Sequence, residues 1–266
     1  MTVASRPAEP TPAATIVLAR VLPDDAFEIF LVKRHGRSGF MAGAHVFPGG
    51  KLDPQDGAFD VDAAAVCAIR ETFEECGVLL ARPESGLPLT TYGPIDAVTA
   101  RTAAGEPFSF ALSAAGLVPD VEALVPVSWW VTPEAEPRRY DTRFFFAVVP
   151  PLQRHCAQAD GVEVDDGRWL TPRAALEEAE ASRIRLAPPT MVTLEELASL
   201  TLTQVRTTAW PLRPICPVLH DDGGEVVLAL PGDPLHPEPE PIWPTRRRVV
   251  AVGPGRFASR PSPQGR

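Results

Sequence analysis

No stretch of this sequence is apolar for long enough to cross a bilayer as a helix. The longest runs, "FFFAVVP" and "EVVLALP", are strand-sized, against the roughly 20 residues a membrane helix needs. The opening segment, "MTVASRPAEPTPAAT", holds three prolines and one arginine with no apolar stretch before a cleavage site. Residues 1–14 therefore read as a disordered tail and not as a signal peptide. The last residues, "SRPSPQGR", lack a peroxisomal tripeptide and belong to a flexible tail expected over 253–266. Cysteine is sparse: Cys67, Cys76, Cys156 and Cys216 form no C-x-x-C pair and have no histidine at metal-ligand spacing. That excludes zinc and a disulfide framework and points to reduced thiols in the cytoplasm. Positive charge is in deficit, with a formal net charge of −9, which argues against a surface that tracks nucleic-acid phosphates. No internal repeat is visible.

What is present is enough apolar residue, 45% of 266, to bury a large core. The 31 prolines mark many short loops. "ATIVLARVL" and "FEIFLVKR" read as strands joined by the turn "PDDA", followed by a glycine-rich loop, "HGRSGFMAGAHVFPGG". A helix is expected from Asp62 as N-cap to Cys76, with Gly77 as C-cap. Residues 82–124 hold two weakly amphipathic patches, "PIDAVTARTAA" and "PFSFALSAA", and read as a helical insertion that caps the glycine loop. Three strands follow, in "LVPVSWWVT", "RRYDTRFFFAVVP" and "VEVDDGRWLT", and then two helices, in "TPRAALEEAEA" and "PPTMVTLEELASL", each with proline near its start. "RPICPVLH" and "EVVLALP" suggest a closing hairpin around Asp221 to Gly224. The irregular alternation predicts an α/β fold over residues 15–252, a mixed sheet between helices on both faces.

The segment "RETFEECGV", Arg70 to Val78, concentrates Glu71, Glu74 and Glu75. At about 100° per residue these fall near 100°, 40° and 140° from Arg70, on one arc, with Val66, Ile69, Phe73, Cys76 and Leu80 opposite. Like charges at this spacing repel by roughly 0.2–0.5 kcal/mol per pair, and no lysine stands between Asp53 and Ala81 to interleave them. A solvated acidic face is the plain alternative, but three hard oxygen donors near one point suit Mg²⁺ or Mn²⁺. Arg70 is placed to pair with Glu74 one turn on.

"RETFEECGV" resembles the second half of the Nudix box, with Thr72 in a slot usually apolar, and "FPGG", Phe47 to Gly50, resembles the loop that opens it. The loop "AHVFPGG" and the segments "RETFEECGVLL", "SWWVTP", "PRRYDTRFFFA", "RWLTPRAAL" and "APPTMVTLEEL" are similar to the coenzyme A diphosphatase branch typified by the peroxisomal enzyme, over residues 15 to 230. The resemblance implies the Nudix fold and a Mg²⁺- or Mn²⁺-dependent hydrolase. Its reaction would cut coenzyme A or acyl-coenzyme A into 3′,5′-ADP and the matching 4′-phosphopantetheine. It further implies metal ligation by Glu71, Glu74, Glu75 and the backbone carbonyl of Gly49, with Arg70 orienting the cluster. Two other functions stand beside it: hydrolysis of ADP-ribose or another nucleoside diphosphate conjugate, and a binding module without catalysis. A degenerate module would be expected to lose the glutamates that this chain keeps. The sequence departs from the box in the middle, where Arg70 stands twenty residues after Gly50, six more than the box allows. Asp56 and Asp62 are then both open to the role of its first acid.

An anionic substrate of an acidic protein needs local cations, and two clusters offer them: Lys33, Arg34 and Arg37, and Arg138, Arg139 and Arg143. The coenzyme A signature would place an arginine where Gly39 stands, with Arg37 the nearest substitute. His35 and His45 read as loop residues, and Glu177 and Glu178 as surface. Of Trp129 and Trp130, adjacent on a strand, at most one can stack an adenine. Glu134, Glu136 and Glu163 are each open as a general base. The partners expected are a small nucleoside diphosphate substrate and, at most, a second copy in a homodimer, with no nucleic acid and no membrane.

Overall fold

The computed structural model describes residues 7–35, 41–161, 164–244 and 247–263. Strand β1 (Thr11–Val21) is central, because its residues Ala13 to Ala19 are apolar or threonine and buried throughout, as a strand covered on both faces must be. It runs parallel to β8 (Tyr140–Val148) over its length, and β8 pairs with β7 (Val125–Val131). On its other edge β1 is shared. Ala19 to Val21 pair with β2 (Phe27–Arg34), whereas Ala13 to Thr15 pair with the short β4 (Gly49–Lys51). β3 (His45–Val46) and β9 (Val164–Leu170) complete the seven strands through β2.

The sheet separates two cores. Ala14, Ile16 and Leu18 face α1 (Ala63–Cys76) and the pair α2 (Gly93–Ala103) and α3 (Phe108–Ala114), which a two-stranded ladder of β5 (Ala81–Pro83) and β6 (Leu117–Pro119) ties at its base. Val17 and Ala19 face α4 (Pro172–Glu180), α5 (Pro188–Leu197) and α6 (Leu202–Thr207). This is the mixed sheet between helical layers that the alternation predicts. α1 begins after Asp62, whose side chain accepts from the Ala64 amide, and ends at Gly77 with φ 71°.

Both tail boundaries need correction. β1 begins at Thr11, inside the segment expected to be a tail, because Thr11 to Ala14 complete the ladder with β8. At the other end, β10 (Val218–Asp222), β11 (Glu225–Ala229), β12 (Arg247–Gly253) and β13 (Arg256–Pro261) form a separate antiparallel sheet. Buried Arg248 donates to both oxygens of Asp233, at 2.8 and 3.0 Å, and Ser262 donates to the same carboxylate, so residues beyond 253 are fastened. The cap reading of 82–124 is also corrected. Phe108 and Leu112 are buried against α1, with the Phe108 ring 5.6 Å from that of Phe73, while Phe110 faces solvent. Burial of that apolar stripe holds α3 against the core, and no residue of the segment lines the cavity described next.

Candidate active site

One large cavity, about 1030 Å³, opens between the glycine loop, α1 and the second sheet. Its charged wall is built by α1 and β4. Arg70 is buried at 5% exposure and is the organising residue. Its Nη1 donates to Glu71 Oε1 and Glu74 Oε2, each at 2.8 Å, and its Nη2 donates to the Lys51 carbonyl at 3.0 Å. Its Nε and Nη2 also reach the two oxygens of Asp56 at 2.8 and 3.0 Å. Burial alone would lower the Arg70 pKa; the bond to Asp56 and the charges of Glu71, Asp56 and Glu74 override it and hold the guanidinium charged well above its ordinary range.

Asp56 is thereby the acid that answers the arginine, and Asp62 is the helix cap. The lengthened loop contains a 3-10 turn, Pro54–Ala58, whose capping box links Asp53 and Asp56 and carries Asp56 back under α1 at 1% exposure. Thr72 fits its apolar slot because its buried hydroxyl donates to the Ala68 carbonyl one turn earlier, at 2.8 Å.

The glycines are there for room. A Cβ on Gly49 would stand 2.4 Å from the Ala14 carbonyl oxygen, so no side chain fits between β4 and β1. A Cβ on Gly50 would stand 2.4 Å from the Glu71 carboxylate. The Gly49 amide donates to Glu75 Oε2 at 2.9 Å. The loop and the helix are thus fitted to each other, and two of the glutamates leave the solvated face: Glu75 is 8% exposed and the Glu71 side chain 13%, while the Glu74 side chain stays 43% exposed. Among the described residues no group of three His, Cys, Asp or Glu is already arranged around a metal position, since Arg70 and the Gly49 amide draw these carboxylates to themselves. The donor set is nonetheless all hard oxygen, on one cavity wall, in a cradle that only glycine leaves open, which suits a hard divalent cation.

The basic candidates divide. Arg34 lines the cavity, and its Nε is buried with no hydrogen-bond partner among the described residues. Lys33 lies on β2 opposite His45 and does not line the cavity. Arg37 is outside the described residues, as is Glu163. Arg138, Arg139 and Arg143 are not at the cavity. Strand parity gives Thr142 and Phe144 the inner side of β8, so Arg143 points outward and stacks 3.5 Å over Trp129. Arg139 is spent on the carbonyls of Ala8 and Thr132, and Arg138 is exposed. The same parity puts Trp130 on the cavity side, buried beside Trp243. Of the glutamates outside α1, Glu136 lines the cavity, as does His35. His45 does not; it is 4% exposed.

Two contributions escaped sequence reasoning. Lys51 lines the charged wall directly after Gly50, a position readable from the loop once the loop is known to enter the site. The opposite wall is apolar and comes from the second sheet: Leu219, Val226, Leu228, Ala251 and Phe257.

The family model that describes the NUDT19 Nudix domain matches residues 59–197. The acyl-coenzyme A diphosphatase NUDT19 of Gallus gallus is 29% identical, across 84% of this chain and 76% of that protein. Its Homo sapiens namesake is 30% identical, across 73% of this chain and 65% of the other. Among solved structures, a NUDIX hydrolase from Alicyclobacillus acidocaldarius superposes with a TM-score of 0.65 at 30% identity, covering 76% of this chain and 97% of that one. With the box residues and the sheet in the places just described, the chain belongs to the Nudix hydrolases, in the branch that the NUDT19 Nudix domain represents.

Proposed function

We propose that this protein hydrolyses the diphosphate of coenzyme A or an acyl derivative to 3′,5′-ADP and the matching 4′-phosphopantetheine. The observation that carries the proposal is a single cavity with the Arg70-ordered glutamates on one wall and an uncharged, apolar wall opposite. Its relatives named acyl-coenzyme A diphosphatase support it. Glu71, Glu74, Glu75 and the Gly49 carbonyl would hold Mg²⁺ or Mn²⁺, which when bound polarises a diphosphate and acidifies water.

The chain's own residues do the rest. Arg70, fixed by Asp56, keeps Glu71 and Glu74 in position, and the Gly49 amide does the same for Glu75. Arg34 and Lys51 supply positive charge to phosphate oxygens, Arg34 through a guanidinium whose Nε has no partner among the described residues. In the reaction a water oxygen bonds to one phosphorus, the bridging P–O bond breaks, and the water's proton leaves to solvent or a carboxylate. The four thiols are free and two are buried, which suits the cytoplasm.

Chromatography of products from coenzyme A, dephospho-coenzyme A, ADP-ribose and NADH, under one Mg²⁺ or Mn²⁺ condition, tests the reading. We expect 3′,5′-ADP and 4′-phosphopantetheine from coenzyme A. Faster turnover of ADP-ribose than of every coenzyme A derivative would replace it with the nucleoside diphosphate conjugate reading.

A further inference from the structure

The two faces of the second sheet differ in kind: Val227, Ala229 and Val250 share one with His220, Arg248 and Arg260, whereas the other carries Leu219, Val226, Leu228, Ala251 and Phe257. One face is explained: Val227, Ala229 and Val250 are fully buried. The other face is presented to the cavity. Leu219 stands opposite Leu228, and Ala251 opposite Phe257, with Val226 beside them. Leu219 and Val226 remain 44% and 46% exposed, so this side is not sealed by the protein's own core. Among the described residues, those of this sheet that line the cavity are all apolar or glycine, with no charge and no hydroxyl. The sheet also lies wholly after residue 197, where the match to the Nudix domain model ends.

Among the described residues, every charged group that lines the cavity is elsewhere: Arg34, Lys51, Arg70, Glu71, Glu74 and Glu75 on the loop side, and Glu136 before β8. A diphosphate held there leaves its two substituents to occupy the remaining space. One, the 3′-phosphoadenosine end, carries further charge and hydroxyls. The other, the pantetheine arm with its acyl chain, ends in methylenes. An uncharged wall discriminates by burying methylenes, and it offers no partner for ribose hydroxyls or a third phosphate.

We infer that the β10–β13 sheet is the binding wall for the acyl end of the substrate and sets chain-length preference through Leu219, Val226 and Phe257. The inference rests on the coenzyme A reading above. A buried methylene is worth about a fourfold change in binding, so a few methylenes in partial contact with this wall give about a tenfold preference for a medium-chain acyl-coenzyme A over free coenzyme A.

The test is kcat/KM for free, hexanoyl- and dodecanoyl-coenzyme A in the wild-type protein, in Leu219→Ser with Val226→Ser, and in Ala251→Leu. The first two sites are half exposed, so the fold should survive, and an unchanged unfolding midpoint checks it. We expect the dodecanoyl-to-free ratio to fall at least threefold in the double variant, through KM, and the Ala251→Leu variant to shift preference toward shorter chains. If the wild type cleaves coenzyme A derivatives but the ratio is the same in every variant, the inference is overturned and the coenzyme A reading stands. Equal losses on free and acylated substrate would also overturn it, by placing the adenine on this wall. If the wild type prefers ADP-ribose, both fall together.

Discussion

Replacing Asp56 by Asn removes one charge from the pair that holds the arginine of the box. Both partners are buried, Asp56 at 1% and Arg70 at 5% exposure. The carboxylate accepts from Arg70 twice and from the Asp53 amide at 2.8 Å. Breaking a buried pair by removing one partner costs about 3–5 kcal/mol. Here the loss falls below that range, about 2–3 kcal/mol, because Glu71 and Glu74 still balance the guanidinium and asparagine retains one acceptor oxygen. Asp62→Ala is the control: it removes the cap bond to the Ala64 amide, worth about 1 kcal/mol. Denaturant unfolding reads both as midpoint shifts at constant slope, and turnover of coenzyme A is measured alongside. Asp56→Asn should lower turnover about tenfold or more, since Arg70 is left less constrained to align Glu71 and Glu74, while Asp62→Ala should leave it near wild type. Loss of turnover in Asp62→Ala, with wild-type stability and turnover in Asp56→Asn, would refute the assignment.

The neighbouring glycines separate chemistry from packing. Gly50→Ala pushes against the end of the Glu71 side chain, which can swing away, so turnover should drop with little change in stability. Gly49→Ala meets the backbone of Ala14 and Thr15 and should cost about 1–3 kcal/mol of stability; the reverse order would contradict the cradle. Arg34→Gln should raise KM for coenzyme A about tenfold or more, the worth of a charged hydrogen bond, and an unchanged KM would remove Arg34 from the site. Burial, with Arg168 and Lys33 nearby, lowers the His45 pKa from 6.5 to about 4. The unfolded chain therefore binds a proton first as pH falls below 6.5, and stability declines from there toward pH 4. Between pH 6.5 and 5 this amounts to about 2 kcal/mol. His45→Leu should flatten that part of the profile, and a wild-type slope in the variant would exclude His45 as its source.

The helix with the glutamates was legible because its signals are local: a capping aspartate, a glycine past the end and a spacing that gathers carboxylates on one arc. What those carboxylates face was not legible. The wheel opposes them to the apolar stripe, but it contains no β4, and it is β4 that turns the face inward and buries Glu75. Choosing between Asp56 and Asp62 depended on a 3-10 turn that bends back beneath the helix, a tertiary event. The basic clusters misled for a related reason. Charge density locates arginines along the chain, whereas strand parity decides their side, and it sends Arg143 outward while Thr142 and Phe144 line the cavity. The hairpin of β12 and β13 was hidden by "GPG" at 253–255, read as the start of a tail. The short β-branched run "VVAV" before that turn, with "RFAS" returning after it, is the signal that would have found it.

The central claim is that the α1 glutamates make this chain a metal-dependent diphosphate hydrolase. Its most direct test compares coenzyme A turnover by the wild-type protein after chelation, after Mg²⁺ or Mn²⁺ is restored, and by Glu74→Gln and Glu75→Gln with the metal present. The account predicts no turnover without metal, full recovery with it, and rates at least about a hundredfold lower in both variants. The variants should still unfold cooperatively, with Glu75→Gln the less stable of the two because that side chain is buried. Wild-type turnover in chelator, or in either variant, would contradict the account.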